Sequence, residues 1–360
     1  MIYPLTISSQ FINNKNILIT GGTGSFGNQM VKTLLKFNPQ KIIVFSRDEY
    51  KQYEMRKKFN PNKYPNMRYL IGDIRDLERL KFAFKDVDLI FHAAALKQVP
   101  AMEYNPGEAI KTNIYGAENV ITAALVNNVS RVIAISTDKA VSPTNLYGAT
   151  KMCFEKLFLS NDFSLDEVIY GEMKGQHTKF SIMRYGNVFG SRGSVVPLFL
   201  KQQQEGQFTI THPDMTRFTI SLEDAINFVL NCSETMIGGE IFIPKLPSYN
   251  IVDLAKSINN TIPINTMGIR PGEKMDECMI SESESCNTLN CKNEFIIIPI
   301  VRFNNKNLLN YYLQHYTKLN KFIKLRDEGE YNSKENDHLS TEQLSLLVNE
   351  FIYINPHFKP

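Results

Sequence analysis

KNILITGGTGSFG, residues 15–27, runs from an apolar, β-branched segment into a glycine-rich turn and then into a helix-length stretch. Gly21, Gly24 and Gly27 are spaced as GxxGxxG. Between a strand and a helix, such glycines permit a tight turn, close approach of backbone to a pyrophosphate and tight helix-on-strand packing. The helix amino end then faces the phosphates. A dinucleotide site is expected here, with Thr23, Ser25 and Phe26 completing its loop. The alternative is a tight turn that binds nothing.

The same rhythm repeats outward. KIIVFS (Lys41–Ser46), MRYLIG (Met67–Gly72), DLIFHAA (Asp88–Ala94), RVIAIST (Arg131–Thr137) and KFSIMRY (Lys179–Tyr185) read as further strands separated by helix-length segments. Near-continuous apolar runs suit strands buried on both faces of a parallel sheet. Their alternation with helices predicts an α/β fold, a Rossmann-like doubly wound sheet built from right-handed βαβ units. Ligands bind beyond the carboxyl ends of such strands, where Thr20, Ser46, Gly72, Ala93 and Thr137 fall.

After Tyr185 the pattern breaks into shorter elements and loops rich in Gly, Pro and Arg, the expected place for a smaller substrate lobe. Ser221–Met236 reads as a helix capped by Ser221 that returns the chain to the sheet. Residues 11–185 and 217–243 are therefore assigned to the dinucleotide domain, and 186–216 and 244–330 to the lobe. Residues 331–360 form a tail whose helix, STEQLSLLVNEFI, has Ser340 as cap and Gln343 in the capping-box position. Ser164–Thr178 and the region from about Cys286 onward look inserted.

Composition narrows the class. Of 360 residues, 43% are hydrophobic, ample for a buried core. Forty basic residues against 37 acidic ones make no electrostatic case for a nucleic-acid partner. The five cysteines form no CxxC pair, and their odd number argues against a disulfide framework. Six scattered histidines offer no metal-ligand spacing, so no metal is expected. No apolar run reaches membrane-spanning length and the amino terminus has no signal-like pattern, so a cytoplasmic protein away from membranes is expected.

The second strand ends in SRDEY. A free ribose 2′-hydroxyl favours an acidic residue at that strand end, but Ser46 and Arg47 stand there and suit a 2′-phosphate. NADP is expected over NAD, with Asp48, next in line, pulling the other way. Asp73 and Ile74, after the third strand, are candidates for the adenine end, Asp73 alternatively as a helix cap. Ala93 and Ala94 follow the fourth strand. Tyr147 and Lys151, four apart, share one face of a helix. A phenol of pKa about 10 is a poor base at neutral pH, and a nearby ammonium and a nicotinium ring both favour the phenolate.

These residues together resemble an extended short-chain dehydrogenase/reductase, and more narrowly the inverting UDP-N-acetylglucosamine 4,6-dehydratases. The resemblance lies in TGGTGSFG, FSRDE, GDIRD, HAAALKQVP, STDKA, RYGNVFGSRGSVVP, DMTRF and IRPGEK, spread over Lys15 to Ile280. The terminal YNSKENDHLSTEQL also resembles the family's tail. The resemblance implies that Thr137 binds the sugar 4-hydroxyl, with Tyr147 and Lys151 oxidising it. Asp138 is then the acid for the C6 hydroxyl and Lys139 the base at C5. Lys97, Asn187, Arg192, Val195, Arg217, Arg270 and Glu273 are the implied contacts to UDP-N-acetylglucosamine. Retaining sugar dehydratases resemble this site but carry Asp-Glu where this chain has Asp138-Lys139, so the amine carries the expectation of inversion at C5. A homo-oligomer, dimer or hexamer, is implied as well. Two rival readings are a UDP-sugar 4-epimerase, which needs no acid–amine pair, and a non-catalytic NADP-binding regulator, which needs no proton-transfer groups at all.

Overall fold

A computed structural model of the chain describes residues 3–161, 178–191, 193–327 and 329–358. Six strands occupy the expected stretches: β1 (Asn16–Thr20), β2 (Lys41–Ser46), β3 (Met67–Ile71), β4 (Leu89–His92), β5 (Arg131–Thr137) and β6 (Lys179–Tyr185). Four more follow: β7 (Ile241–Pro244), β8 (Thr288–Cys291), β9 (Glu294–Ile297) and β10 (Phe322–Leu325). Among the described residues they form one ten-stranded sheet in the order β10-β8-β9-β7-β6-β5-β4-β1-β2-β3. From β3 through β7 every pairing is parallel. The strand order reverses between β1 and β4, which opens a crevice at their carboxyl ends.

The last three strands depart from the expected domain division. β9 pairs antiparallel with β7, and β8 and β10 follow antiparallel. Residues 288–325, assigned from sequence to the lobe, thus extend the main sheet. Their apolar run Phe295–Ile298 is buried because β7 presents an open parallel edge that needs covering. Of the insert at Ser164–Thr178, all but Thr178 lies outside the described residues.

The lobe has its own core. Val196, Phe199 and Leu200 of the helix Val195–Glu205 pack with Phe208, Tyr249 and Leu254, and with Leu344 and Val348 of the helix Thr341–Ile354. The terminal helix carries the expected capping box at Ser340 and Gln343, but it belongs to the lobe core rather than to a separate tail. Asn187–Val188, Thr216–Ile220 and Ser248–Asn250 form a small sheet in which Thr216–Ile220 is central. The helix Leu222–Thr235, capped by Ser221 through the Asp224 N–H, then returns to pack beside the helix Ser25–Leu34. Among the described residues no helix is long and apolar enough to cross a membrane.

A buried ion cluster joins sheet to lobe. Arg184 of β6, 2% exposed, donates to Glu155 at 2.6 and 3.0 Å, to Glu284 at 2.9 and 3.1 Å, and to the Met279 carbonyl at 2.8 Å. Glu155 also accepts from Ser136 Oγ at 2.6 Å, one residue before the end of β5. Removing one partner of such a cluster strands the others without a counter-charge. Arg184→Met is therefore expected to destabilise the fold by about 3–5 kcal/mol, read as a lower urea midpoint with unchanged slope.

Candidate active site

A cleft of about 820 Å³ opens beyond the strand ends, between sheet and lobe. Thr23, Gly24, Ser25 and Phe26 of the glycine turn and Ala93–Ala94 after β4 line one side, with Gly21 at the turn's start. Thr137, Lys139, Tyr147 and Lys151 line its base, and Lys97, Asn187, Val195, Arg217, Arg270 and Glu273 line the rest. Arg192 lies outside the described residues.

The glycine turn fits a pyrophosphate. The helix Ser25–Leu34 has Gly24 as its N-cap, which has no side chain to cap its first N–H groups, the end of a helix that suits an anion. Gly27 lies beneath: a Cβ there would sit 2.1 Å from the Gly22 carbonyl oxygen. Ile74 is buried against Gly116 rather than lining the cleft. At the end of β2, Ser46 is buried and holds Gln52, while the half-exposed Arg47 guanidinium stands 3.6 Å from Asp73. Asp48 caps the helix Glu49–Lys58 through the Lys51 N–H. Asp73 is no helix cap, since Asp76 fills that role for Leu77–Ala83; it accepts instead from the Arg75 guanidinium.

At the base of the cleft, β5 ends in Thr137 and the chain turns through the 3₁₀ segment Asp138–Ala140. Asp138 is fully buried. Its Oδ1 accepts from Thr137 Oγ1 at 2.9 Å and from Lys139 Nζ at 3.1 Å, and its Oδ2 has no partner among the described residues. Burial drives the Asp138 carboxyl above its ordinary range, against the pull of the ammonium beside it. Lys139 Nζ also touches Glu277 Oε1 at 3.0 Å and Asn187 Oδ1 at 3.4 Å. Burial would lower the lysine, but Asp138 and Glu277 outweigh it and hold the ammonium form. The two carboxylates thus prevail over burial at this amine.

Tyr147 and Lys151 lie on the helix Leu146–Ser160, capped by Asn145 through the Gly148 N–H. A π-turn at Lys111–Tyr115 brings Asn113 against that helix, where it donates to Thr150 Oγ1 and to the Leu96 carbonyl. Lys151 donates to the Ile135 carbonyl at 2.6 Å and lies 3.3 Å from the centre of the Phe154 ring. Burial lowers its pKa to about 7, with Glu155 opposing. Burial raises Tyr147 to about 12, and the groups that pull it back are Lys139 and Thr137. The lowering influence expected from Lys151 thus comes from Lys139 in this structure.

The lobe closes over this base through backbone. Gly272 accepts from Thr144 Oγ1 and Asn145 Nδ2, and Lys274 Nζ donates to the Val141 carbonyl at 2.5 Å. Arg217 is held by the carbonyls of Thr216, Lys274 and Met275 and stands 3.7 Å from Glu273. Arg270 is exposed at the mouth, and Lys97 faces the cleft with its pKa lowered by partial burial and by Lys139. Tyr249 and Glu277 are among the lining residues that the sequence reading does not name. Tyr249 is placed opposite Arg217 by strand register. Glu277 carried only the weak signal of an acidic residue preceding a short apolar strand, Cys278–Ile280.

Residues 17–299 match the family model described as polysaccharide biosynthesis protein. A curated protein of Campylobacter jejuni (serotype O:2), named UDP-N-acetylglucosamine 4,6-dehydratase (inverting), is 53% identical over 82% of this chain and 86% of its own. One from Rickettsia bellii (strain OSU 85-389), named UDP-glucose 4-epimerase, is 40% identical over 96% and 98%. Among solved structures, Pen from Bacillus thuringiensis superimposes with a TM-score of 0.82 at 36% identity, over 97% of this chain and 99% of that one.

Gly148 sets the spacing between Tyr147 and the Asp138–Lys139 turn, because a Cβ there would stand 2.2 Å from the Lys139 carbonyl oxygen. Gly148→Ala is expected to lower kcat by about 100-fold through misplacement of order 1 Å, while dinucleotide binding, measured by calorimetry, stays near wild type.

Proposed function

Because the chain belongs to the polysaccharide biosynthesis protein family of extended short-chain dehydrogenases/reductases and is a hydro-lyase within it, we propose that it dehydrates UDP-N-acetylglucosamine across C5 and C6. NADP is the proposed cofactor. The product is UDP-2-acetamido-2,6-dideoxy-β-L-arabino-hexos-4-ulose, inverted at C5. The reading rests above all on the acid–amine pair, buried Asp138 Oδ1 to partly exposed Lys139 Nζ at 3.1 Å, with Lys139 and Tyr147 lining one cleft.

When bound, the nicotinamide supplies a reversible hydride acceptor for C4 and donor for C6. Thr137 and Tyr147 hold the 4-hydroxyl and take its proton. With C4 a ketone, the C5 proton becomes acidic and Lys139 removes it, and Asp138 protonates the C6 hydroxyl so that it leaves as water. In the substrate-free enzyme Lys139 is an ammonium. Shifting one proton across the 3.1 Å contact to Asp138 creates the neutral base and the acid together. Return of the C5 proton to the opposite face completes inversion. Arg217, Arg270 and Glu273, with Asn187, Val195 and Lys97, are the proposed grip on the nucleotide sugar, guanidinium being suited to diphosphate. The family resemblance carries the further expectation of a homo-oligomer, and the sequence pattern that of a cytoplasmic protein.

A second reading, 4-epimerisation, is favoured by the name of the Rickettsia relative. Incubation with UDP-N-acetylglucosamine separates the two by mass spectrometry: loss of one water is expected, and unchanged mass with a new C4 epimer would reverse the choice. In deuterated water, deuterium is expected at C5 of the product. Lys139→Ala should reduce dehydration by about 10³-fold and still bind NADP. Arg47→Ala should weaken NADP by about tenfold or more through loss of a charge-assisted contact, leaving NAD affinity nearly constant; equal loss for both removes the NADP assignment.

A further inference from the structure

Glu277 has no role in the reaction as read so far, yet it is placed on the proton-handling pair. It is 3% exposed, with Oε1 3.0 Å from Lys139 Nζ and 3.8 Å from Arg217 Nε. Its backbone is pinned: the N–H donates to Ser333 Oγ at 2.9 Å and its carbonyl accepts from the Ser333 N–H at 2.8 Å. Ser333 Oγ in turn lies 2.7 Å from Thr216 Oγ1, beside Arg217 on the same strand. Glu277 Oε2 and Asp138 Oδ2 are both buried without a partner among the described residues. The amine is thus suspended between two carboxylates, one from the sheet and one from the lobe.

We propose that Glu277 is a positioning residue for the Asp138–Lys139 pair: its carboxylate aims the amine, and its fixed charge sets the pH range in which the pair exchanges protons with the sugar. The role rests on the dehydratase reading above. A buried negative charge makes each neighbouring proton harder to lose. Burial, then Glu277's like charge, favour the proton on Asp138, with Lys139 opposing. On Lys139, Asp138 and Glu277 overcome burial and the repulsion of Arg217. The other groups facing the pair are Thr137 and Tyr147 from the sheet side, Lys97 from the loop after β4, and Asn187, Tyr249 and Lys274 from the lobe. Glu277 itself stays ionised because Lys139 and Arg217 outweigh its burial. Removing its charge therefore moves every proton loss from the pair in one direction, to lower pH.

The test is the pH profile of kcat for the holoenzyme with UDP-N-acetylglucosamine. Glu277→Gln keeps an acceptor oxygen for Lys139 and loses the charge. Both limbs of its profile are expected to move to lower pH by about one unit. Glu277→Asp restores the charge but shortens the reach, so its limbs should return to the wild-type pH while kcat stays depressed. An unshifted Gln profile overturns the proposal, and so does a shift that Asp fails to reverse. If the Gln variant does not fold, the Asp variant decides alone, since limbs displaced despite the retained charge contradict the role. A second readout needs no turnover: the infrared band of a protonated carboxyl that Asp138→Asn removes should vanish at lower pH in Glu277→Gln than in wild type. Should wild type remove no water from the sugar, the dehydratase reading fails, while the infrared comparison still decides whether Glu277 sets the pair's titration.

Discussion

Holding one lysine ammonium between two buried carboxylates at the base of the cleft is the constraint on which the architecture turns. Each ion costs several kcal/mol to desolvate, and the cluster persists only where geometry and extra hydrogen bonds offset that cost. Asp138 is supplied by the end of β5, Glu277 by the lobe, and Asn187 by the small sheet between them. The amine can be satisfied only when sheet and lobe are docked. That docking is reinforced by the Lys274 and Gly272 contacts to Val141 and Asn145, and by Arg184 bridging Glu155 and Glu284.

The same burial acts in opposite senses on the two members of the Tyr147–Lys151 motif. It raises the phenol and lowers the amine, since in each case the neutral form is favoured. The side chains that counter it are specific: Lys139 for Tyr147 and Glu155 for Lys151. Lys139 therefore influences both Tyr147 and Asp138, the two halves of the proposed chemistry. A nucleotide-sugar epimerase has use for the first half alone, so the wholly buried Asp138 and the paired amine are what favour dehydration here.

Much of the fold was legible because it rests on short-range rules. Apolar runs followed by helix-length segments place β1 to β6 within a residue or two, and cap chemistry places Ser221 and Ser340. The domain division was less legible. β8, β9 and β10 joined the sheet because β7 offered an edge, and nothing local to residues 288–325 distinguishes an edge-covering hairpin from one in a lobe. Gly27 and Ile74, expected at the cofactor, pack under the turn and against Gly116.

The sequence by itself determined the parallel sheet, the glycine-rich turn after β1, and the adjacency of Asp138 to Lys139 and of Tyr147 to Lys151, since each follows from backbone periodicity or from neighbours in the chain. Only the tertiary structure decided who else meets that amine. Glu277, Arg217 and Tyr249 are brought together by strand register and by the Ser333 and Thr216 contacts, which join segments far apart in sequence. Protonation follows the same division. Side-chain type sets the ordinary pKa, but burial and opposing charges set the one that operates, and both are properties of the packed site.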